Sequence, residues 1–151
     1  MALQPINGLF KSEGRLHNNV ESKVTSPAVR IIRGVFPWRG RRALIEVRTV
    51  PERWSNALSY ELVASSLQHL GTDDALIIEC EVRVLEGMLG IGVMASDNST
   101  FVCHERAVSV GSGATTIHLY VRDPSKACHL LFRNIASNGV STRFELLGFS
   151  A

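Results

Sequence analysis

Two carboxylates stand two residues apart in Ile78-Glu79-Cys80-Glu81-Val82. On a strand both would share one face, with Cα atoms about 6–7 Å apart. That spacing falls within the roughly 5–9.5 Å used by glycosidase carboxylate pairs. Such pairs come from separate elements across a cleft, however, and no flanking segment marks a groove here. A hydrolase is therefore the weakest reading, and no catalytic residue is expected. No serine lies in a G-x-S-x-G elbow, which removes the commonest nucleophilic arrangement.

Metals and cofactors fare no better. Cys103-His104 recurs as Cys128-His129, but adjacent strand residues point to opposite faces, so thiols and imidazoles would not converge on one ion. The two aspartates of Thr72-Asp73-Asp74 supply too few oxygens for calcium. The stretch GMLGIGV has its glycines in the wrong order for a dinucleotide loop, and VGSGATT lacks the lysine of a phosphate loop. Asn98-Ser99-Thr100 fits a turn. In RIIRGVFPWRGRR, residues 30–42, five arginines surround Phe36 and Trp38, a mixture suited to phosphates and bases. Glu46, Glu52 and a net charge of only +2 argue against a nucleic-acid partner.

The elements that must position these residues are strands. Period-2 runs occur at 29–36, 42–49, 57–64, 75–86, 88–95, 100–105, 114–121, 128–134 and 143–149, separated by turn residues such as Gly87, Asp97-Asn98, Asp123-Pro124 and Asn138-Gly139. Only residues 65–70 read as helical, for a turn or two. The fold expected is all-β, a jelly-roll-like sandwich of about 8–10 antiparallel strands, with an up-and-down barrel as the alternative. Residues 28–151 form the expected domain, and 1–27 a lead-in that is flexible or forms one edge strand. Three cysteines without C-x-x-C spacing suit reduced core thiols and a cytoplasmic setting. No apolar run is long enough for a membrane span, and no secretion signal opens the chain, so no membrane partner is expected.

Alternation splits each run into two sets. The inward set is Ile78, Cys80, Val82 and Val84, then Leu89, Ile91 and Val93, with Ile117, Leu119, Val121, Cys128, Leu130, Phe132, Phe144 and Leu146. Opposite stand Glu79, Glu81 and Arg83, the glycines Gly90 and Gly92, and His118, Tyr120 and Arg133. Glycine weakens a strand unless something approaches its backbone. A glycine floor walled by carboxylates, guanidinium groups and a ring suits a polyhydroxylated ligand. A solvated face with cross-strand charge pairs, or a protein interface, would carry similar residues.

From Ser55 onward the order of segments is a tryptophan beside an extended strand (PERWSNALSYEL), a long strand feeding a glycine-rich one (ECEVRVLEGMLGIGVMASDN), a glutamate loop (TFVCHERAV), a strand ending in Arg-Asn (HLLFRNIASNG) and a closing strand (RFELLGF). This order resembles the accessory β-sandwich domains, similar to carbohydrate-binding modules, of bacterial FkbM-type methyltransferases and polysaccharide-associated glycosyltransferases. The resemblance implies glycan handling beside an enzyme and picks out Trp54, Glu105, Arg133 and Asn134. No methyltransferase part is present, so the chain is expected to be a free-standing module or one excised from a larger enzyme.

Residues and resemblance together lead to a non-catalytic, lectin-like module. Its ligand surface is expected to be a concave sheet face formed by Trp54, Glu79, Glu81, Arg83, Glu105, His118, Tyr120, Arg133 and Asn134, without metal or cofactor. A glycan or oligosaccharide is the expected partner. The rival is an interaction module that forms a homo-oligomer or docks on a partner enzyme, favoured by the outward aliphatics Ile77, Leu85, Met88 and Leu131.

Overall fold

The computed structural model describes residues 9–17, 21–24, 35–37, 45–97, 99–111 and 113–151. Two antiparallel sheets face each other. The first is six-stranded, in the order β3 (Val35–Pro37), β1 (Phe10–Leu16), β5 (Asn56–Leu62), β10 (His129–Asn134), β7 (Met88–Met94) and β8 (Arg106–Ser109). The second runs β2 (Glu21–Val24), β4 (Ile45–Arg48), β11 (Arg143–Ser150), β6 (Leu76–Glu86) and β9 (Thr115–Val121). The expected all-β sandwich is therefore what the chain forms.

Alternation accounts for the core. Ile78, Cys80, Val82 and Val84 of β6 meet Leu89, Ile91 and Val93 of β7 across the sandwich, all buried in one cluster. Phe132 of β10 stacks on Phe144 of β11, with ring centroids 5.9 Å apart, so an aromatic pair joins the two sheets. In β11 a register shift between Leu146 and Gly148 turns Phe149 inward, against Phe10 and Tyr60 at 4.6 and 4.5 Å. The lead-in contains both β1, which sits inside its sheet between β3 and β5, and β2, at the edge of the other.

One local expectation changes, one is met and one falls mostly outside the described residues. Residues 100–105 do not form a strand; their only pairing is a bridge between Phe101 and Met94, and β8 follows at Arg106–Ser109. The helical segment is the single turn α1 (Ala64–Leu67). Of the 29–36 run only its last residues belong to the described β3, and most of the arginine-rich segment 30–42 lies outside the described residues.

The correction with most consequence concerns β6 and β7, which are consecutive but not neighbours. Gly87 adopts a φ of 76°, and a Cβ there would sit 2.5 Å from Thr142 Oγ1 and 2.6 Å from the Ser141 carbonyl. At this corner the chain passes from one sheet to the other. The carboxylates of β6 and the glycines of β7 consequently occupy opposite outer faces of the sandwich.

A buried polar knot closes the same end of the molecule. Asn134, Thr142 and Thr49 are the buried polar residues among those described. The Asn134 amide donates to the carbonyls of Val50, Glu52 and Val140, at 3.2, 3.1 and 2.9 Å. Its Oδ1 accepts from the Ala136 N–H at 3.0 Å and lies 2.7 Å from the Thr142 hydroxyl. Thr142 Oγ1 also accepts from the Met88 N–H, and the Thr142 N–H donates to Thr49 Oγ1. One side chain thus ties β10 and β7 of the first sheet to the segments flanking β4 and β11 of the second.

Replacing Asn134 with Ala leaves three carbonyls without their shared donor, and such groups are expensive to bury unpaired. The expected loss is about 2–4 kcal/mol, read as a lower urea midpoint at unchanged slope. An unchanged midpoint would mean that water replaces the amide without cost.

Candidate functional site

On the outer face of the six-stranded sheet, β10 presents His129, Leu131 and Arg133. Arg133 lies across from Gly90 of β7, and Leu131 across from Gly92. The space above these glycines is filled by the chain itself. A Cβ at Gly92 would meet the Phe101 ring at 2.5 and 2.7 Å, and one at Gly90 would collide with Glu105 Oε1 and sit 2.7 Å from Ile135 Cγ2. The close approach that the glycines permit is therefore made by the 99–105 loop, not by an open floor.

That loop completes an ion pair. Arg133 Nε and Nη2 donate to the two Glu105 oxygens at 2.5 and 2.7 Å, a bidentate contact with both side chains under a fifth exposed. The guanidinium carbon lies 4.7 Å from the ring centroids of both Trp54 and Phe101. Flanked by two rings and locked in plane by a carboxylate, Arg133 is held in one orientation. The loop is itself pinned by Asp97, which accepts from the Ser99 and Thr100 N–H groups and the Thr100 hydroxyl at 3.0, 2.9 and 2.6 Å.

Trp54 is held from the opposite side. It is the one non-glycine residue with a positive φ among those described, at 70°. For a bulky side chain this is a strained conformation that surrounding bonds must enforce. The Trp54 N–H donates to the Asn134 carbonyl at 2.7 Å, and the Asn134 N–H to the Ser55 carbonyl at 2.9 Å. The Arg53 N–H donates to Asn138 Oδ1 at 3.1 Å. The indole remains 49% exposed, with the Arg53 guanidinium 4.5 Å from its centroid.

Trp54, Glu105 and Arg133 of the expected set are thus brought together. Asn134 lies beneath them, wholly buried with its amide engaged at both ends, so the expectation of ligand contact by Asn134 is corrected to a positioning role. Glu79, Glu81, Arg83, His118 and Tyr120 lie on the outer face of the other sheet, because their strands β6 and β9 belong to it. There charges pair across strands, Arg83 with Glu145 at 2.8 Å and Arg143 with Glu46 and Glu86, and His118 Nε2 lies 3.1 Å from a Glu79 oxygen.

Sequence reasoning missed Phe101 and Arg53. The first was hidden by reading 100–105 as a strand, although Asp97 two and three residues before Ser99 and Thr100 is a turn signal. Arg53 was overshadowed by its neighbour Trp54. Among the described residues no three His, Cys, Asp or Glu side chains converge on a possible metal position. Cys80 and Cys103 have thiols pushed up by burial, which makes both poor nucleophiles.

Two expectations concern the loop. The Thr100 hydroxyl, then the Ser99 and Thr100 N–H groups, hold Asp97 down to about 2. A depressed carboxylate contributes above its unfolded value of about 3.9 and loses that contribution as pH falls toward 2. Carbon-detected NMR should place its titration midpoint near 2; an ordinary aspartate midpoint would mean that the turn is open. In Gly92→Ala the added methyl group must push Phe101 from Arg133, at an expected cost of about 1–3 kcal/mol in urea unfolding. An unaltered midpoint would show the ring free to move.

No protein-family model and no curated protein sequence matches this chain. Solved structures do. The CBM22-1 xylan-binding domain of Paenibacillus barcinonensis Xyn10C superposes with a TM-score of 0.52 at 10% identity, over 91% of this chain and 83% of that one. The CBM22-1 and GH10 modules of Clostridium thermocellum xylanase 10B, complexed with xylohexaose, give 0.50 at 13% identity, over 97% of this chain and 27% of that one. At these identities the likeness concerns the fold, and the fold shared is that of a carbohydrate-binding module.

Proposed function

We propose that the chain is a non-catalytic carbohydrate-binding module that takes a glycan on the outer face of its six-stranded sheet, at Trp54 and Arg133. The observation that carries the proposal is Trp54 itself. A half-exposed indole held in a strained backbone conformation by a buried knot is fixed in place, and strain of this kind gathers at ligand sites. An indole offers a flat surface to the C–H face of a sugar, while the exposed Arg53 and the Arg133 Nη1 outside the ion pair offer donors to its hydroxyls. The xylan-binding neighbour with the same fold supports this reading, and nothing in the constellation supplies a nucleophile or an acid–base pair.

A partner enzyme belongs to the same proposal. The segment order resembles that of accessory domains of FkbM-type methyltransferases and glycosyltransferases, which supports an enzyme that modifies the glycan this module holds. A second reading rests on the other sheet, where Tyr120 of the edge strand β9 is 59% exposed and pairs with Ile77 of β6. That surface suits contact with a second copy or a partner protein. Sedimentation that shows a concentration-dependent dimer, lost in Tyr120→Glu, would favour it.

A glycan array tests the main reading. Trp54→Ala should lose about tenfold or more in affinity for any hit, with an unchanged far-ultraviolet spectrum. Binding kept in Trp54→Ala but lost in Arg83→Ala would move the site to the five-stranded sheet. A blank array would overturn glycan binding altogether.

A further inference from the structure

The chain is nearly neutral, yet its two outer faces handle charge differently. On the five-stranded sheet the arginines are spent: Arg48 on Glu86, Arg83 on Glu145, and Arg143 on Glu46 and Glu86. On the six-stranded sheet, among the described residues, Arg133 alone is neutralised in this way. Arg53, beside the indole, has no ion pair among the described residues, and neither has the exposed Arg15 of β1.

Register places these cations along one surface. His129, Leu131 and Arg133 follow β10 over about 13 Å. Arg15 pairs with Ser59 of β5, which pairs in turn with Leu131. His17 Nε2 lies 2.9 Å from Ser59 Oγ. Burial first, then the charges of Arg15 and His129, lower its imidazole from the ordinary value. The carboxylates on this face whose side chains are described are Glu105, held by Arg133, and Glu61, opposite His129. Among the described residues, Arg53 beside Trp54 and Arg15 level with Leu131 are thus the arginines of this surface without an ion pair.

Resting on the glycan-binding reading above, we infer that the ligand is an acidic glycan, one whose sugar carboxylates are met by Arg53 at the Trp54 end and by Arg15 level with Leu131. Guanidinium groups donate to neutral hydroxyls, but only an anionic ligand also neutralises them. A carboxylate matches their planar donor pair and gives the stronger, charge-assisted bond.

The test is calorimetric titration of the full chain with matched tetrasaccharides: cellouronate against cellotetraose, mannuronate against mannotetraose, and galacturonate against its carboxyl-reduced form. The acidic member of at least one pair should bind about tenfold tighter or more. Exposed charges are screened by salt, so raising it from about 50 to about 500 mM should shrink that ratio. Arg53→Gln and Arg15→Gln should each narrow it as well. Equal or tighter binding of the neutral members, insensitive to salt, would overturn the acidic assignment and leave the glycan-binding function standing. Failure of every member to bind would remove that function and the assignment with it.

Discussion

The amide of Asn134 is the contact on which the rest of the structure depends. A sandwich is held together mainly by apolar surface, which is non-directional and leaves its ends free to splay. Here one end is fixed by a side chain that satisfies three carbonyls with its donors and takes two further groups on its oxygen. A fully satisfied buried polar group specifies a single arrangement, because every alternative leaves some member unpaired in low dielectric. The chain before β5 and the chain after β10 are consequently held in one register, and Trp54 has one place to go.

Fixing Trp54 then determines what the neighbouring side chains can do. The indole forms one side of the slot around Arg133, and Phe101 forms the other. Phe101 reaches that position only because Gly92 offers no Cβ, and Glu105 reaches Arg133 only because Gly90 offers none. Glycine in a strand weakens it, which makes sense where another part of the chain must lie directly on the backbone. The ion pair so formed is sheltered, planar and bidentate, unlike the exposed pairs of the other sheet, which solvent screens. One sheet face is thereby preorganised, and the other remains a solvated surface of mutually compensating charges.

Much of the fold was legible because alternation is local. Ile78 through Val84 and Leu89 through Val93 could be assigned inward from their own spacing, and each is buried. Which strands lie side by side was not legible, since that depends on where the chain changes sheets. The corner at Gly87 looks in sequence like any hairpin turn; its contact with Thr142, 55 residues onward, is what reveals the crossing. This one ambiguity merged two outer faces into one and placed Glu79, Glu81 and Arg83 beside the wrong glycines. Trp54, Glu105 and Arg133 came together without any pairing being known, through the order of segments alone. Asn134 followed Arg133 in sequence and pointed the other way, into the knot, as strand alternation requires.

The glycines also separate two explanations that the sequence could not distinguish. A bare strand floor can await a ligand or can be covered by the chain that owns it, and both produce the same residue pattern. In this molecule the floor is covered, and the exposed surface is formed by the groups that cover it. Such a surface is built from groups fixed by second partners: the Trp54 backbone by the Asn134 carbonyl, a guanidinium by Glu105, a loop by Asp97. Ordering those groups in advance lowers the entropy that binding must otherwise remove. A weakly basic face with few aromatic residues can hold a small, polar ligand under those conditions because its few contacts do not have to be assembled at the moment of encounter.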